Sequence, residues 1–74
     1  MSAMIEVYYK PPSDSKREKA VEAQVAARGG KLTCREEDVS RITLTVEFDD
    51  RNAAEAMMIE LTAAGMYVEG PSDY

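Results

Sequence analysis

The chain has 74 residues and a formal net charge of −5, with 14 acidic and nine basic residues. A chain this short supports one compact domain whose core is only just large enough to offset chain entropy. The acidic excess opposes binding to nucleic acids and anionic lipids, and the absence of histidine removes the side chain most used for proton transfer near neutral pH and for binding transition metals.

Cysteine content and hydropathy bear on the compartment and on domain organisation. Cys34 is the only cysteine, so no intramolecular disulfide can form. The sequence contains no run of about 18 apolar residues and no signal-type segment. We therefore expect a single cytoplasmic domain over residues 1–74, with 70–74 as a turn and C-terminal tail, and no cofactor.

The first elements in chain order are a strand and a helix. Residues 4–9 alternate with the period of a half-buried strand, and the two prolines that follow end it. The inward positions of this strand are Ile5, Val7 and Tyr9. Ser15 and Glu18 have the spacing of a capping box, which predicts a helix through the Ala-rich run that follows, closed by a glycine pair. Val21 and Val25 give this helix only a narrow apolar stripe.

Two strands joined by a short turn come next. Residues 31–37 alternate through Leu32 and Cys34, and residues 41–48 alternate more regularly. The inward positions of the second of these strands are Ile42, Leu44, Val46 and Phe48. Because only residues 38–40 separate the two runs, we expect a hairpin.

A second helix and a last strand complete the pattern. Asp49 or Asp50 can cap the helix, which we expect over residues 53–64, with Gly65 ending it. The apolar face of this helix comprises Ala54, Met57, Met58 and Leu61. Residues 66–69 are expected to form a short strand.

The order strand, helix, strand, strand, helix, strand resembles the ferredoxin-like superfold. The resemblance covers nearly the whole chain and implies an α+β sandwich, in which a four-stranded antiparallel sheet has two helices on one face. This superfold serves metal chaperones, sensing domains, acylphosphatases, RNA-binding domains and dimerisation modules, so function has to be argued from sites.

Residues 48–61 and 65–70 resemble the second half of an RNA-recognition motif. In that family the third strand carries a basic residue, glycines and aromatic side chains that stack on bases. The outward side chains of the third strand here are Thr43, Thr45 and Glu47. Tyr8 and Tyr67 are the remaining candidates for base stacking, so binding of single-stranded nucleic acid is a third-ranked hypothesis.

The sequence has few of the residues needed for metal binding, acylphosphatase-like phosphate binding or a cysteine nucleophile. The first loop, residues 10–15, has no cysteine for a soft metal ion and neither the arginine nor the glycines of an acylphosphatase-like phosphate cradle. Cys34 shares strand parity with Leu32, and no histidine is present to raise its thiolate fraction, so we expect a buried, inert thiol. Residues 36–38 lack the spacing of a calcium loop and are expected to form a solvated acidic turn.

The N-terminal end of the first helix and the loop before it, which we call the entrance of this helix, carry more positive charge than the helix dipole favours. The candidate anion-binding residues there are Lys10, Ser13, Ser15, Lys16 and Arg17. Together with free backbone N–H groups they could hold a phosphate or a partner's carboxylate. The alternative is an ordinary solvated surface, because Asp14 and Glu18 offset part of the positive charge.

The sheet face that the helices leave uncovered is a second candidate site. The side chains expected there are Glu6, Tyr8, Arg35, Thr43, Thr45 and Tyr67. Tyr and Arg among Thr suit a contact surface, and a plain solvated face is the alternative. On the second helix, Ile59 lies between Ala56 and Ala63 opposite the core face and forms a small apolar patch.

The leading functional hypothesis is a non-catalytic interaction or accessory domain. It would bind a protein partner or a second copy of itself through the uncovered sheet face or the second helix, and the short chain and thin core also favour self-association. The alternative is a small-ligand or anion-sensing regulatory domain that uses the entrance of the first helix. An enzyme ranks behind nucleic-acid binding, because no catalytic constellation occurs in the sequence.

Overall fold

A computed structural model describes residues 2–73 of the chain, with the backbone alone for residue 73. The elements are β1 (Ala3–Tyr9), α1 (Ser15–Ala27), β2 (Gly30–Glu37), β3 (Ile42–Phe48), α2 (Arg51–Ala63) and β4 (Tyr67–Asp73). The four strands form one antiparallel sheet in the order β2-β3-β1-β4. The ferredoxin-like α+β fold expected from the sequence is confirmed.

One layer of apolar side chains joins the sheet to both helices. The inward residues of β1 and β3 pack with Val21 and Val25 of α1 and with three residues of α2. The largest fully buried side chains are Phe48, Ile5, Ile42, Leu44, Met57, Leu61, Val7, Val25 and Val46. Because residues from both helices share this cluster, both helices lie on the same sheet face, and none of the described elements covers the opposite face. We call that opposite face the open sheet face.

Helix α1 begins with a different cap from the one expected. The N-cap is Asp14, whose side chain accepts a hydrogen bond of 3.1 Å from the backbone N–H of Arg17, and Ser15 is the first helical residue. The predicted capping box of Ser15 and Glu18 is therefore wrong. Glu18 points toward the sheet instead, where it meets Tyr9 and Arg35.

A bulge in β2 reverses the parity of its second half. Leu32 pairs with Val46 on β3, but the next registered pair is Cys34 with Thr45, so Thr33 is an extra residue. Beyond it, Cys34 is exposed on the open sheet face, and Arg35 pairs with Leu44 on the helix side. The predictions of a buried Cys34 and of an Arg35 on the open sheet face were both wrong. A prediction from alternating inward and outward positions assumes that no extra residue is inserted in the strand.

Helix α2 and the final strand are each longer than expected. Asp50 caps α2 by accepting a hydrogen bond of 2.9 Å from the N–H of Asn52, so the helix begins two residues before the predicted start at Ala53. The predicted face is confirmed, with Met58 only half-buried. Strand β4 continues through the expected tail to Asp73, because an edge strand tolerates Pro71 and β1 still offers pairing positions there.

Candidate functional site

A cleft opens at one end of the sheet, where β1 ends and β3 and β4 begin, beside the entrance of α1. Its volume is about 520 Å³. The side chains that line it include the cations Lys10, Arg17 and Arg41 and the aromatic rings of Tyr8, Tyr9 and Tyr67, with Ser40 and Gly65 completing the wall. We call this feature the basic cleft.

Among the described residues, two arginines outside the basic cleft form ion pairs with carboxylates, whereas the cations of the cleft do not. Arg28, at the C-terminal end of α1, pairs with Glu60 of α2, and Arg51 pairs with Glu55 within α2. Within residues 2–73, by contrast, Lys10, Arg17 and Arg41 form no ion pair with a carboxylate, and all three are exposed. On a chain of net charge −5, this end of the molecule therefore retains positive charge that a ligand could neutralise.

Aromatic rings support two of these cations. The guanidinium carbon of Arg41 lies 4.4 Å from the ring centroid of Tyr8, and that of Arg17 lies 5.6 Å from the ring centroid of Tyr9. Both distances fall within the range of cation–π attraction. The contacts limit where each guanidinium can go and keep it at the wall of the basic cleft.

Tyr8 and Tyr67 lie side by side but differ in accessibility. Their ring centroids are 5.7 Å apart with an interplanar angle of 43°. Tyr67 is 65% exposed, whereas Tyr8 retains only 8% exposure despite its position on the open sheet face. The expectation that Tyr8 is displayed for a partner was wrong, because Arg41 and Tyr67 cover its ring.

The hydroxyl of Tyr8 is held in its protonated form. A hydrogen bond with Glu69, partial burial and the negative charges of Glu6 and Glu69 raise the pKa of Tyr8 to about 12, and Arg41 offsets only part of this effect. Tyr8 therefore contributes a neutral ring beneath Arg41 at neutral pH.

The predicted anion-binding residues of the α1 entrance meet at a neighbouring cavity. Lys10, Ser13, Ser15, Lys16 and Arg17 all line a depression of about 530 Å³. Its wall also includes Asp14, whose carboxylate already accepts from the N–H of Arg17. An anion at the helix terminus would meet that carboxylate, so the geometry favours the basic cleft, which shares Lys10 and Arg17 with this depression.

A polar network that begins at Tyr9, which lines both cavities, ties α1 to the sheet. The Tyr9 hydroxyl donates to Glu18 and accepts from the N–H of Asp14 at 2.9 Å. Arg35 donates twice to Glu18, at 2.6 and 3.1 Å, and once to Glu37 at 3.0 Å. Arg35 was predicted to be a partner-binding residue on the open sheet face, and the structure places it in this network instead.

The network shifts the pKa values of its members in opposite directions. Hydrogen bonds from Arg35, followed by the one from Tyr9, hold the pKa of Glu18 below its ordinary value against the effect of burial. Burial raises the pKa of Tyr9, and the Glu18 carboxylate adds to that increase, while the hydrogen bond from the Asp14 backbone opposes it. Glu18 is therefore an ionised anchor, and Tyr9 a neutral one, at neutral pH.

The open sheet face is more acidic than the sequence suggested. Thr43 and Thr45 lie there half-buried, as expected, beside Glu6. The bulge moves Cys34 and Glu36 to the same face, and Glu69 lies opposite Glu6 on β4. Lys31 also lies on this face, opposite Glu47, but with Arg35 absent and Tyr8 covered the carboxylates outnumber the cations contributed by the strands.

Two smaller predicted features lie away from the cleft. Ile59 on α2 is 72% exposed and lines a shallow depression of about 390 Å³ with Met58, Thr62 and Ala63. In the turn after β2, Asp38 accepts hydrogen bonds from the N–H and hydroxyl of Ser40 and from the N–H of Arg41, and these bonds lower its pKa. Asp38 therefore shapes the acidic turn that positions Arg41.

Comparisons with known proteins found no match from which a function could be inferred. No family model matches the sequence, and no curated protein or solved structure matches it. Among residues 2–73 no group of three or more cysteine or carboxylate side chains is arranged to hold a metal ion. None of the described helices combines the length and the apolar character needed to cross a membrane.

Arg41 and Tyr9 are site residues that sequence reasoning missed. A signal for Arg41 was present: it immediately precedes β3, and antiparallel pairing with β1 brings that position beside the residues that end β1. Tyr9 was assigned to the core, where most of its ring does lie, but its hydroxyl reaches the entrance of α1.

Proposed function

We propose that this chain is a non-catalytic binding module that recognises an anionic group at the basic cleft. The observation that carries the proposal is the convergence of Lys10, Arg17 and Arg41, without carboxylate partners among the described residues, on one cavity of an otherwise acidic chain. This develops the sequence-based alternative of an anion-sensing domain and moves its centre from the helix terminus to the cleft.

The chemistry of the cleft suits a phosphate or carboxylate. Arginine presents a planar fork of donors that matches both groups, and lysine adds a mobile point charge. Aromatic rings lie beneath two of the cations, which keeps water from one side of each guanidinium and strengthens its attraction for an anion. The volume of about 520 Å³ is within the range of small-molecule sites, about 300–1,000 Å³.

Titration with inorganic phosphate at constant ionic strength, followed by two-dimensional NMR of the backbone amides, tests the proposal. We expect saturable shifts concentrated at residues 10, 17, 41 and 67. Arg41→Gln should weaken them at least several-fold, because it removes one charged donor. Lys31→Gln is the matched control, since it removes the same charge from β2 outside the cleft. Uniform, unsaturated shifts over the whole surface would contradict a specific anion site.

The open sheet face supports a second candidate function, binding of a basic protein partner. Its observation is the uncovered surface on which Glu6, Glu36 and Glu69 surround the half-buried threonines. A Lys/Arg-rich peptide should then shift the amides of β3 and β4, with affinity falling as salt rises. Peptide binding that is unaffected by Glu36→Gln and by Glu69→Gln would exclude this face. In either function the cytoplasm remains the predicted compartment.

A further inference from the structure

We infer that the ligand of the basic cleft carries an aromatic ring next to its anionic group, as a mononucleotide does. This inference rests on the proposed function and specifies the class of ligand. Its basis is the side-by-side placement, at one cavity, of an exposed tyrosine ring and three cations that form no ion pair within residues 2–73.

Tyr67 supplies the ring surface. It stands at the start of edge strand β4, lines the cleft and is 65% exposed, while its neighbour Tyr8 is buried. The ring centroids lie 5.7 Å apart, so Tyr67 is supported on one side and open on another. An exposed ring beside a cleft offers a platform on which a planar base can stack, a contact worth about 1–3 kcal/mol.

The cations stand where the charged end of such a ligand would lie. Arg41 is held over the Tyr8 ring, on the same part of the cleft wall as Tyr67. Lys10 and Arg17 come from the end of β1 and the first turn of α1 and contribute to the same cavity. A ligand with its ring on Tyr67 could thus reach donors from three separate elements with one phosphate.

The surroundings favour a single nucleotide over a strand of nucleic acid. Proteins that bind single strands use a basic groove that follows several phosphates. Here three cations gather at one end of the sheet, and on the open sheet face beyond them Lys31 lies opposite the carboxylate residue Glu47. The adjoining open sheet face carries Glu6, Glu36 and Glu69, which would repel the phosphates of a polymer laid across it.

Calorimetric titrations of the full chain with four small ligands test the inference. The ligands are adenosine monophosphate, ribose 5-phosphate, adenosine and inorganic phosphate. We expect adenosine monophosphate to bind about tenfold tighter than ribose 5-phosphate, the gain expected from one stacked base. Tyr67→Leu and Tyr67→Ala should each lower the ratio of the two affinities from about ten to about one, because both ligands keep the phosphate and only adenosine monophosphate loses a stacking contact. Ile59→Ala, which removes another exposed apolar side chain, is the matched control and should preserve the gain.

The outcomes separate this inference from the proposed function. Equal affinities for adenosine monophosphate and ribose 5-phosphate would overturn the aromatic requirement while the anion site stands. Failure of all three phosphate-bearing ligands to bind would overturn both. An oligonucleotide that binds more tightly per nucleotide than adenosine monophosphate would overturn the restriction to single nucleotides. Native amide spectra of both Tyr67 variants establish that a lost gain reflects the ring and not unfolding.

Discussion

At the scale of single residues, the tightest steric constraint is between Gly30 and Phe48, which pair across β2 and β3. A Cβ atom at position 30 would lie 2.5 and 2.6 Å from two ring carbons of Phe48 and 2.9 Å from the carbonyl oxygen of Glu47. The only phenylalanine of the chain thus occupies space that a glycine leaves open, and the residue type at position 30 follows from packing.

Gly30→Ala should therefore destabilise the fold by about 1–3 kcal/mol, because the added methyl group forces the Phe48 ring out of a filled core. Urea unfolding followed by circular dichroism measures the change. Lys31→Ala at the next, exposed position is the control and should alter the free energy of unfolding by about 0.5 kcal/mol or less. Equal stability of Gly30→Ala and the parent chain would mean that Phe48 does not pack on β2.

Leu61 tests the core face of α2 at the same scale. It is fully buried, and Leu61→Ala should cost about 2–5 kcal/mol, a large part of the stability of so small a domain. Thermal unfolding compares it with Ile59→Ala, which truncates an exposed side chain on the same helix and should have little effect. A larger loss from the Ile59 variant would reverse the assignment of the two helix faces.

At the scale of elements, the bulge at Thr33 decides which side chains β2 presents to each face. Because the bulge exposes Cys34, its thiol should react stoichiometrically with Ellman's reagent in the native protein. The kinetics are measured by absorbance, with and without denaturant. Reaction that requires prior unfolding would show that β2 alternates without interruption and that Cys34 lies in the core.

Helix α1 buries only Val21 and Val25, so the polar network of Tyr9, Glu18 and Arg35 should carry much of its attachment to the sheet. The pKa of Glu18 is lowered in the folded chain. Its contribution to stability is therefore fully present above its unfolded pKa, ordinarily 4.5, and is lost as the pH falls through the lower folded value.

Native-state hydrogen exchange measures this attachment. Amides of α1 should lose protection relative to those of β3 as the pH falls below about 4.5, after correction for the intrinsic exchange rate. Glu18→Gln should lower α1 protection at neutral pH and remove this acid-dependent component. Glu22→Gln, an exposed α1 carboxylate with no role in the network, is the control. Parallel behaviour of the parent chain and Glu18→Gln across this range would contradict the role of Glu18.

At the scale of the whole molecule, the open sheet face is the surface through which self-association is predicted. The sequence favours self-association, and this stays a prediction. The structure adds an electrostatic condition, because pairing two open faces would bring Glu6, Glu36 and Glu69 of each copy together.

Association through this face should therefore strengthen as sodium chloride rises from about 50 mM to about 500 mM, which screens the like charges. Sedimentation equilibrium at about 100 µM measures the average mass. Dissociation constants near this concentration are at the weak end of specific association. Thr45→Glu, at the centre of the face, should restore the monomer. Ile59→Glu adds the same charge on α2 and should not. A monomer at high salt would exclude pairing of the open faces, and dissociation by Ile59→Glu alone would assign the contact to α2.

The sequence by itself determined the order of elements, the core phases of β1, β3 and α2, and the group of cations at Lys10, Lys16 and Arg17, because apolar periodicity and local charge depend on neighbouring residues. Only the tertiary structure decided the rest. Local alternation cannot count the extra residue at Thr33, which is defined by pairing with β3. The basic cleft likewise exists only because antiparallel pairing and helix packing bring Arg41 and Tyr67 to the end of β1 from distant parts of the chain.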